Sequence, residues 1–158
     1  MVTFVSHREV NYWQLIEIAK LKSLSWKYSI DSQIEWIEKN TNPWDIHLLI
    51  DNVAYCHLTP VILHIDNELK IGLGIGSVCT LEPGKGYGQR LMNEINQYLG
   101  NKPGLLFCRE RVVKFYEKYN WQVVDKSKLL MLINDDIFTT MIYNVKEYES
   151  IKYEGRLF

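Results

Sequence analysis

The stretch Leu81-Glu82-Pro83-Gly84-Lys85-Gly86-Tyr87-Gly88-Gln89 lies between an apolar segment and an amphipathic one. The apolar segment, residues 70–81, is bounded by polar residues and has the composition of a buried strand. In the amphipathic segment, Leu91, Ile95 and Leu99 recur at four-residue steps, which predicts a helix packed on a sheet. The sequence therefore predicts a strand, a glycine turn and a helix in succession.

The glycine turn has the composition of an anion-binding site. The first amide groups of a helix lack intrahelical partners, and the aligned peptide dipoles place a partial positive charge there. Gly84, Gly86 and Gly88 remove the Cβ atoms that would hold a phosphate away, and Lys85 adds a mobile cation. The spacing matches neither the dinucleotide fingerprint nor the nucleotide-triphosphate loop. A purely structural tight turn is the alternative interpretation of these residues.

A second informative segment follows this helix. Residues 104–108 read as a short buried strand after a Lys-Pro-Gly turn. Beyond it, one face of a predicted helix carries Val112, Phe115, Tyr116 and Tyr119. Asn120 can end that helix because asparagine tolerates the left-handed conformation, and residues 121–124 then begin another strand.

The two segments together resemble the GNAT superfamily of acyl-CoA-dependent N-acyltransferases. The family's pyrophosphate loop, Arg/Gln-x-x-Gly-x-Gly/Ala, corresponds to residues 83–88, and its later motif, Phe-Tyr-Glu-Lys-x-Gly-Phe, corresponds to Phe-Tyr-Glu-Lys-Tyr-Asn-Trp at 115–121. The resemblance covers residues 70–124, about a third of the chain. Two residues depart from the family pattern, since Pro83 replaces Arg or Gln and Asn120 replaces Gly.

The resemblance implies a single N-acetyltransferase domain over residues 1–158, with its cofactor core at about 70–124. The implied fold is α/β, with a mixed, mostly antiparallel central sheet whose fourth and fifth strands splay apart and are flanked by helices. Acetyl-CoA is the implied co-substrate, and its pantetheine arm would bond main-chain groups near Val78 and Thr80. The full set of implied cofactor-binding residues is Val78, Cys79, Thr80, Gly84, Lys85, Gly86, Tyr87, Gly88 and Gln89.

The implied reaction is direct attack of a neutral amine on the thioester. Tyr116 is the candidate acid for the leaving thiolate, because it matches the family's tyrosine, and a core aromatic is the alternative interpretation. A base is not evident: His57, His64 and Asp66 are candidates, each also readable as a satisfied strand residue, and water serves equally well. The main-chain amide near Val78 could hold the carbonyl oxygen.

Two cysteines allow a covalent alternative to direct transfer. Cys79 or Cys108 near the thioester could form an acyl-enzyme, but buried strand cysteines are usually inert. The three cysteines are odd in number and widely spaced, so we expect reduced thiols in a cytoplasmic protein. No Cys-x-x-Cys or paired-histidine spacing predicts a metal site.

The acceptor is expected to be a small-molecule primary amine. In the family, the first two helices and the strand ends form the acceptor's rim. The residues available for it are Trp26, Tyr28, Trp36 and Trp44 with Asp31, Glu35, Glu38 and Asp45. Two other functions stay open: a non-catalytic acyl-CoA-binding module of the same fold, and a nucleotide-binding regulatory domain. The sequence also leaves open a homodimer.

Composition agrees with a single folded domain. The chain has 158 residues, and its 47% hydrophobic content is enough for a real core. A formal net charge of -1 gives no electrostatic reason to expect nucleic acid. No apolar run is long enough for a bilayer, and the first residues do not resemble a secretion signal.

The remaining segments complete the predicted order. Helices are predicted over residues 11–24 and beyond Asp31, which could cap the second. Strands are predicted at 45–50, at 53–65 with an interruption at Pro60, and later at 129–133 and 137–143 around a turn at 134–136. Gly72, Gly74 and Gly76 alternate, so they would share one bare strand face, left open for an acyl group or filled by close packing.

Overall fold

The computed structural model describes residues 1–133 and 136–158. Its helices and strands, in chain order, are β1 (Val2–Ser6), α1 (Tyr12–Ser25), α2 (Ile30–Asn40), β2 (Ile46–Ile50), β3 (Ala54–Ile65), β4 (Glu68–Thr80), α3 (Tyr87–Leu99), β5 (Gly104–Cys108), α4 (Val113–Glu117), β6 (Gln122–Val123), β7 (Leu129–Met131), β8 (Thr139–Tyr143) and β9 (Ile151–Tyr153). Short 3₁₀ turns precede α4, at Glu110–Val112, and β7, at Lys126–Lys128.

The chain divides into two compact units, each described by itself. The first comprises residues 1–59 and 76–94. In it, β1 pairs with β2 and β2 pairs with β3, both antiparallel, with β2 extending from a pairing of Ile46 with Leu58 to one of Ile50 with Ala54. Helix α1 packs against α2. A buried cluster of this unit contains Leu15, Ile18, Leu21, Ile37, Leu49, Tyr55 and Cys79.

Side-chain caps fix where the first two helices begin. Asn11 accepts a hydrogen bond from the Gln14 amide while the Gln14 side chain accepts one from the Asn11 amide, both at 2.9 Å, which forms a capping box for α1. The predicted cap of the second helix was wrong. Ser29 caps α2 through the Ser32 amide, and Asp31 lies inside the first turn, where its charge is still favourable.

The second unit comprises residues 60–75 and 95–158. Here β4 pairs with β5 in parallel, while β5 with β8, β6 with β8 and β3 with β9 pair antiparallel, and β7 pairs with β9 in parallel. A buried cluster contains Val61, Leu63, Leu105, Val124, Ile142, Ile151 and Tyr153. The tail, residues 144–158, contributes β9, a strand that the sequence did not predict.

Pro60 does not interrupt β3, which is one continuous strand. The strand pairs with β2 as far as Leu58 and with β9 from His64 onward, so Pro60 lies where one partner has ended and the next has not begun. Because proline has no N–H to donate, this position costs no ladder hydrogen bond to either partner.

The predicted fold class is confirmed, since the sheet is mixed and mostly antiparallel with a parallel β4–β5 pair and flanking helices. Pairing of β4 with β5 spans Leu73–Ile75 and Gly104–Leu106, although β4 continues to Thr80 and β5 to Cys108. The single-domain assignment stays a prediction. The turn predicted at 134–136 lies partly outside the described residues. Across residues 1–133 and 136–158, no helix combines the length and apolar character that crossing a bilayer demands.

Candidate functional site

The glycine turn has a backbone that requires glycine at two positions. Gly84 and Gly86 have φ angles of 75° and 78°, in the left-handed region, and α3 begins directly afterwards at Tyr87. A Cβ atom added at either glycine would meet nothing within 4 Å. The two glycines are therefore required by the backbone path and not by neighbouring protein atoms, and the space outside them is open. Gly88 lies within the first turn of α3.

The turn is held to the rest of the first unit at both ends. The Leu81 amide donates to the Val53 carbonyl at 2.8 Å, and the Arg90 amide donates to the Gly86 carbonyl at 3.0 Å. The Arg90 guanidinium also donates to the Asp51 carboxylate at 3.0 Å. These bonds join the residues on either side of the turn to Val53 and Asp51 of the same unit.

Lys85 is a cation available to a ligand at this turn. Its ammonium lies 3.9 Å from the Glu82 carboxylate, and both side chains are more than half exposed. An exposed ion pair at that distance contributes little to stability. Lys85 can therefore exchange Glu82 for an anion at low cost, and its role in binding the cofactor stays a prediction.

The β4 segment before the turn contains a feature that the sequence did not predict. Ser77 has a φ of 53°, a left-handed conformation inside a strand, where a non-glycine residue is unusual. Such a residue changes the direction of the backbone groups that follow it, here those of Val78. Val78 and Thr80 are half-buried and Cys79 is buried. The predicted cofactor-binding residues 78–80 and 84–89 all belong to the first unit.

Lys22 is the functional candidate that sequence reasoning missed. It is a buried lysine on α1, 4% exposed, and its ammonium donates to the Ser77 hydroxyl at 2.9 Å. Burial lowers the pKa of Lys22 to about 8, against a smaller opposing effect of Cys79. A signal was present, because position 22 lies four residues after buried Ile18 and seven after Leu15, on the apolar face of the helix.

Two indole rings flank the Lys22 ammonium. It lies 4.0 Å from the ring centroid of Trp36 and 5.2 Å from that of Trp26, both within the range of a cation–π interaction. Among the residues that the structure describes, no carboxylate forms an ion pair with it. Lys22 is thus a buried amine held by one hydroxyl and two aromatic faces.

The three cysteines are free and buried. Burial raises the pKa of Cys79 to about 12, partly offset by nearby Lys22, and burial raises that of Cys108 to about 11. Burial, with a smaller effect of Cys79, raises the pKa of Cys56 well above its usual value. Because the thiolate is the nucleophilic form, these thiols are unreactive at neutral pH.

The histidines of the first unit form buried polar contacts. His57 Nε2 lies 2.9 Å from the Asp45 carboxylate, which also accepts from the Thr59 hydroxyl at 2.8 Å. His47 Nδ1 lies 2.8 Å from the Tyr55 hydroxyl. His57, a candidate base, is therefore engaged in a buried pair and supports the interpretation of a satisfied core histidine. Asp45 was expected near the acceptor's rim, but it is fully buried by this pairing.

Tyr116 belongs to the second unit and is described by its own surroundings. It is buried on α4, its ring packs edge-on against Phe115 at 5.1 Å, and its carbonyl accepts from the Tyr119 amide at 2.9 Å. Asn120 has a φ of 66°, which confirms the predicted left-handed conformation, although α4 itself ends at Glu117, three residues earlier. The indole of Trp121 donates to the Asn96 side chain at 3.0 Å, which ties the motif to α3. The catalytic role of Tyr116 stays a prediction.

The expected aromatic rim is exposed. All four of its aromatic residues have more than a third of their surface accessible: Trp26, Tyr28, Trp36 and Trp44. Asp31, Glu35 and Glu38 are exposed as well, although Glu35 forms an ion pair with Lys39 at 2.7 Å. These residues lie on and around α2 in the first unit.

Close packing explains two of the three alternating glycines of β4. A Cβ on Gly72 would overlap the Pro103 carbonyl, and one on Gly74 would overlap the Phe158 ring. The face at these two positions is filled by protein, so it leaves no space for an acyl group. Within residues 1–133 and 136–158, no group of three or more His, Cys, Asp or Glu has the arrangement of a metal site.

Comparison with known proteins gives structural matches only. No family model matches the sequence, and no curated protein matches it significantly. The Bacillus subtilis N-acetyltransferase YlbP, solved in complex with coenzyme A, is 21% identical with a TM-score of 0.57, covering 90% of this chain and 96% of its own. An acyl-CoA N-acyltransferase from Pseudomonas aeruginosa is 16% identical with a TM-score of 0.59, covering 90% and 98%.

A third match is the aminoglycoside 6'-N-acetyltransferase from Enterococcus faecium. It is 15% identical with a TM-score of 0.60, and the alignment covers 94% of this chain and 97% of that enzyme. Likeness at this level of identity shows a shared fold over nearly the whole length of each protein.

Proposed function

We propose that this chain, which has the fold of the GNAT acyl-CoA N-acyltransferases, moves an acetyl group from acetyl-CoA to a primary amine of a small molecule by direct attack. The observation that carries the proposal is the turn before α3. There, two glycines with positive φ precede the helix and leave open space outside its first amides.

The proposed cofactor contacts follow from that turn. The pyrophosphate would accept hydrogen bonds from the main chain of residues 84–89, with Lys85 adding charge. The pantetheine arm would bond the main chain of Val78 and Thr80 as an added strand does. The turned backbone at Ser77 supports this assignment, because it redirects the Val78 amide, which could then donate to the thioester oxygen.

Direct transfer is favoured over an acyl-enzyme by the state of Cys79. With its pKa raised to about 12 by burial, this thiol is protonated at neutral pH and is a poor nucleophile. In the direct route the amine nitrogen bonds the carbonyl carbon, and the C–S bond then breaks. Tyr116 is the proposed proton donor to the leaving thiolate.

The aromatic rim supports a small amine as acceptor. Exposed indole and phenol rings can stack on a sugar or an aromatic amine, and Asp31 and Glu38 add negative charge nearby in sequence. One protein of the same fold is an aminoglycoside N-acetyltransferase. Amino sugars are therefore the first acceptors to test, followed by polyamines, amino acids and peptide N-termini.

Calorimetry and thiol release together test the proposal. Acetyl-CoA should bind, and free thiol should appear when an accepted amine is added. Tyr116→Phe should lower kcat by about 100-fold, within the range of a lost general acid, with binding of acetyl-CoA kept. Phe115→Leu, a change to the neighbouring ring, is the control. Binding without thiol release across the panel would instead indicate a non-catalytic acyl-CoA-binding module, and absence of binding would refute both functions.

A further inference from the structure

The proposed reaction has no assigned base, and Lys22 is a buried ionisable residue to which the proposed function gives no role. A neutral amine that attacks a thioester acquires a positive charge and must lose a proton. The acceptor of that proton has to be near the thioester and at least partly deprotonated at working pH. His57 is engaged in its buried pair with Asp45, so its Nε2 atom is not available to contact the attacking amine.

Geometry places the Lys22 amine beside the segment proposed to hold the thioester. Its Nζ atom lies 2.9 Å from Ser77 Oγ, and four covalent bonds separate that oxygen from the Val78 amide nitrogen. Even along this path, Nζ is within about 9 Å of the Val78 nitrogen. A short chain of waters could carry a proton over a distance of that size to an amine bound at the thioester.

The loss of hydration at Lys22 favours its neutral form. The amine is removed from water and donates to one hydroxyl, and the attraction of the Trp26 and Trp36 faces for the ammonium does not outweigh this desolvation. A carboxylate would hold the proton on the amine, and none is paired with Lys22 in the described part of the chain. Both indoles are about two-fifths exposed, so the cluster borders solvent and can return a proton to it.

The neighbouring titratable groups keep one charge state while Lys22 changes. The groups that act on or respond to it are Cys79 on β4 and His47 on β2. The pKa of Cys79 is raised to about 12 and that of His47 is lowered to about 3, in both cases mainly by burial. Between pH 6 and 9 both are neutral, so a titration near pH 8 in this cluster belongs to Lys22.

We propose that the Lys22 amine accepts the proton released from the attacking amine during acetyl transfer, held in place by Ser77, Trp26 and Trp36. This inference rests on the proposed function. The acceptor nitrogen bonds the carbonyl carbon and becomes a secondary ammonium, and neutral Lys22 takes its proton. The C–S bond then breaks, and the thiolate takes a proton from Tyr116, its proposed donor. Lys22 releases its proton to solvent and Tyr116 regains one from solvent, so the products are an amide and free coenzyme A thiol, with both side chains restored.

The lowered pKa makes the step effective near neutral pH. With a pKa of about 8, roughly a tenth of the Lys22 side chains are neutral at pH 7. At the ordinary lysine value of 10.5, the neutral fraction would be about 300-fold smaller. A useful fraction of the Lys22 amine is therefore neutral at pH 7, and the proposed step needs no carboxylate or imidazole as base.

The experiment compares Lys22→Met, Lys22→Arg and a matched control, Lys20→Met, on the full chain. Methionine keeps most of the buried stem, arginine keeps the charge but does not deprotonate, and Lys20 is an exposed lysine of the same helix. Thiol release from acetyl-CoA is measured with the amine panel from pH 6 to 9, and acetyl-CoA binding by calorimetry. In ¹³C-lysine-labelled wild type, the Cε resonance lost in Lys22→Met is titrated by NMR.

We expect both Lys22 variants to lose about 100-fold in kcat at pH 8 while binding acetyl-CoA within threefold of wild type. The ratio of wild-type kcat to that of Lys22→Met should fall about tenfold per pH unit well below pH 8, because the acceptor's own titration cancels. Lys20→Met should match wild type, and the NMR midpoint should lie near pH 8.

Each other result overturns the inference. A pH-independent ratio, or activity retained in Lys22→Arg, would give Lys22 a structural or electrostatic role. An NMR midpoint near 10.5 would show that Lys22 is almost wholly charged at working pH. This readout stands even if Lys22→Met does not fold, because Lys22→Arg loses the same resonance and so identifies it. If wild type binds acetyl-CoA and releases thiol normally while Lys22→Met is equally active, this inference alone falls. If wild type releases no thiol, the proposed function falls with it.

Discussion

Replacing Gly86 with alanine separates the backbone requirement of the turn from its proposed phosphate contact. Gly86 has a φ of 78°, a conformation that costs an L-residue about 1–2 kcal/mol. Loss of freedom in the unfolded chain returns about 0.4–1 kcal/mol. The net loss in free energy of unfolding should be about 1 kcal/mol, which corresponds to a fall in Tm of about 2–4 °C for a chain of this size.

The effect on binding should exceed the effect on stability. Because a Cβ at Gly86 meets no protein atom within 4 Å, the methyl group causes no internal clash. It would instead occupy the open space where a phosphate oxygen is proposed to approach the amides. We expect the Kd for acetyl-CoA to rise at least tenfold, or about 1.4 kcal/mol, measured by calorimetry at constant salt.

Gly100→Ala provides the matched control for Gly86→Ala. Gly100 also has a positive φ, 57°, and open space around its added Cβ, but it follows the other end of α3. Urea denaturation should show a similar loss of stability in both variants, with the Kd for acetyl-CoA unchanged in Gly100→Ala. Equal losses of affinity in the two variants, or an unchanged Kd in Gly86→Ala, would refute the phosphate assignment.

Three further predictions concern the core. Burial lowers the pKa of His47 to about 3, so protonation of this histidine favours the unfolded chain. The contribution of His47 to the free energy of unfolding should be full above pH 6.5 and should fall by up to about 1.4 kcal/mol per pH unit towards pH 3. His47→Gln should flatten this slope in acid titrations followed by circular dichroism. Gly104→Val should destabilise by more than about 3 kcal/mol in urea, because even a Cβ there crowds Trp121 and Leu99, whereas Val123→Ala, on an exposed strand position, should cost under about 1 kcal/mol. Cys79→Ala should keep at least a third of wild-type kcat, and a covalent acetyl group found on Cys79 by mass spectrometry would contradict direct transfer.

Local patterns predicted the elements of this fold well where the signal lies within one turn or one strand. The four-residue steps of Leu91, Ile95 and Leu99 gave α3, and the three side chains are buried as expected. Asn120 was predicted at a left-handed helix end because its short amide tolerates that conformation, and its φ agrees. The cap of α2 was misassigned because Ser29 and Asp31 are both good capping residues two positions apart.

Features that depend on residues far apart in sequence could not be predicted from local sequence patterns. Asp45 reads as a surface acid until His57, on the adjacent strand, buries its carboxylate. Burial works to raise the pKa of Asp45, but hydrogen bonds from His57, the Asn42 amide and Thr59 outweigh it, so the pKa is lowered. The Gly74 face reads as open space until Phe158, 84 positions later, fills it. Neither partner is identifiable from spacing alone.

The same burial acts in opposite directions on the two ionisable groups beside the Ser77 turn. Removing a group from water disfavours its charged form, so the pKa of the Lys22 amine falls to about 8 while that of the Cys79 thiol rises to about 12. Near pH 8 this pocket therefore holds an amine that is half neutral and a thiol that is almost wholly protonated. Such an environment suits a lysine that accepts a proton and opposes a cysteine that attacks a thioester. The proposed direct transfer and the proposed amine base therefore rest on one physical cause, the desolvation of the Lys22 amine and the Cys79 thiol by burial.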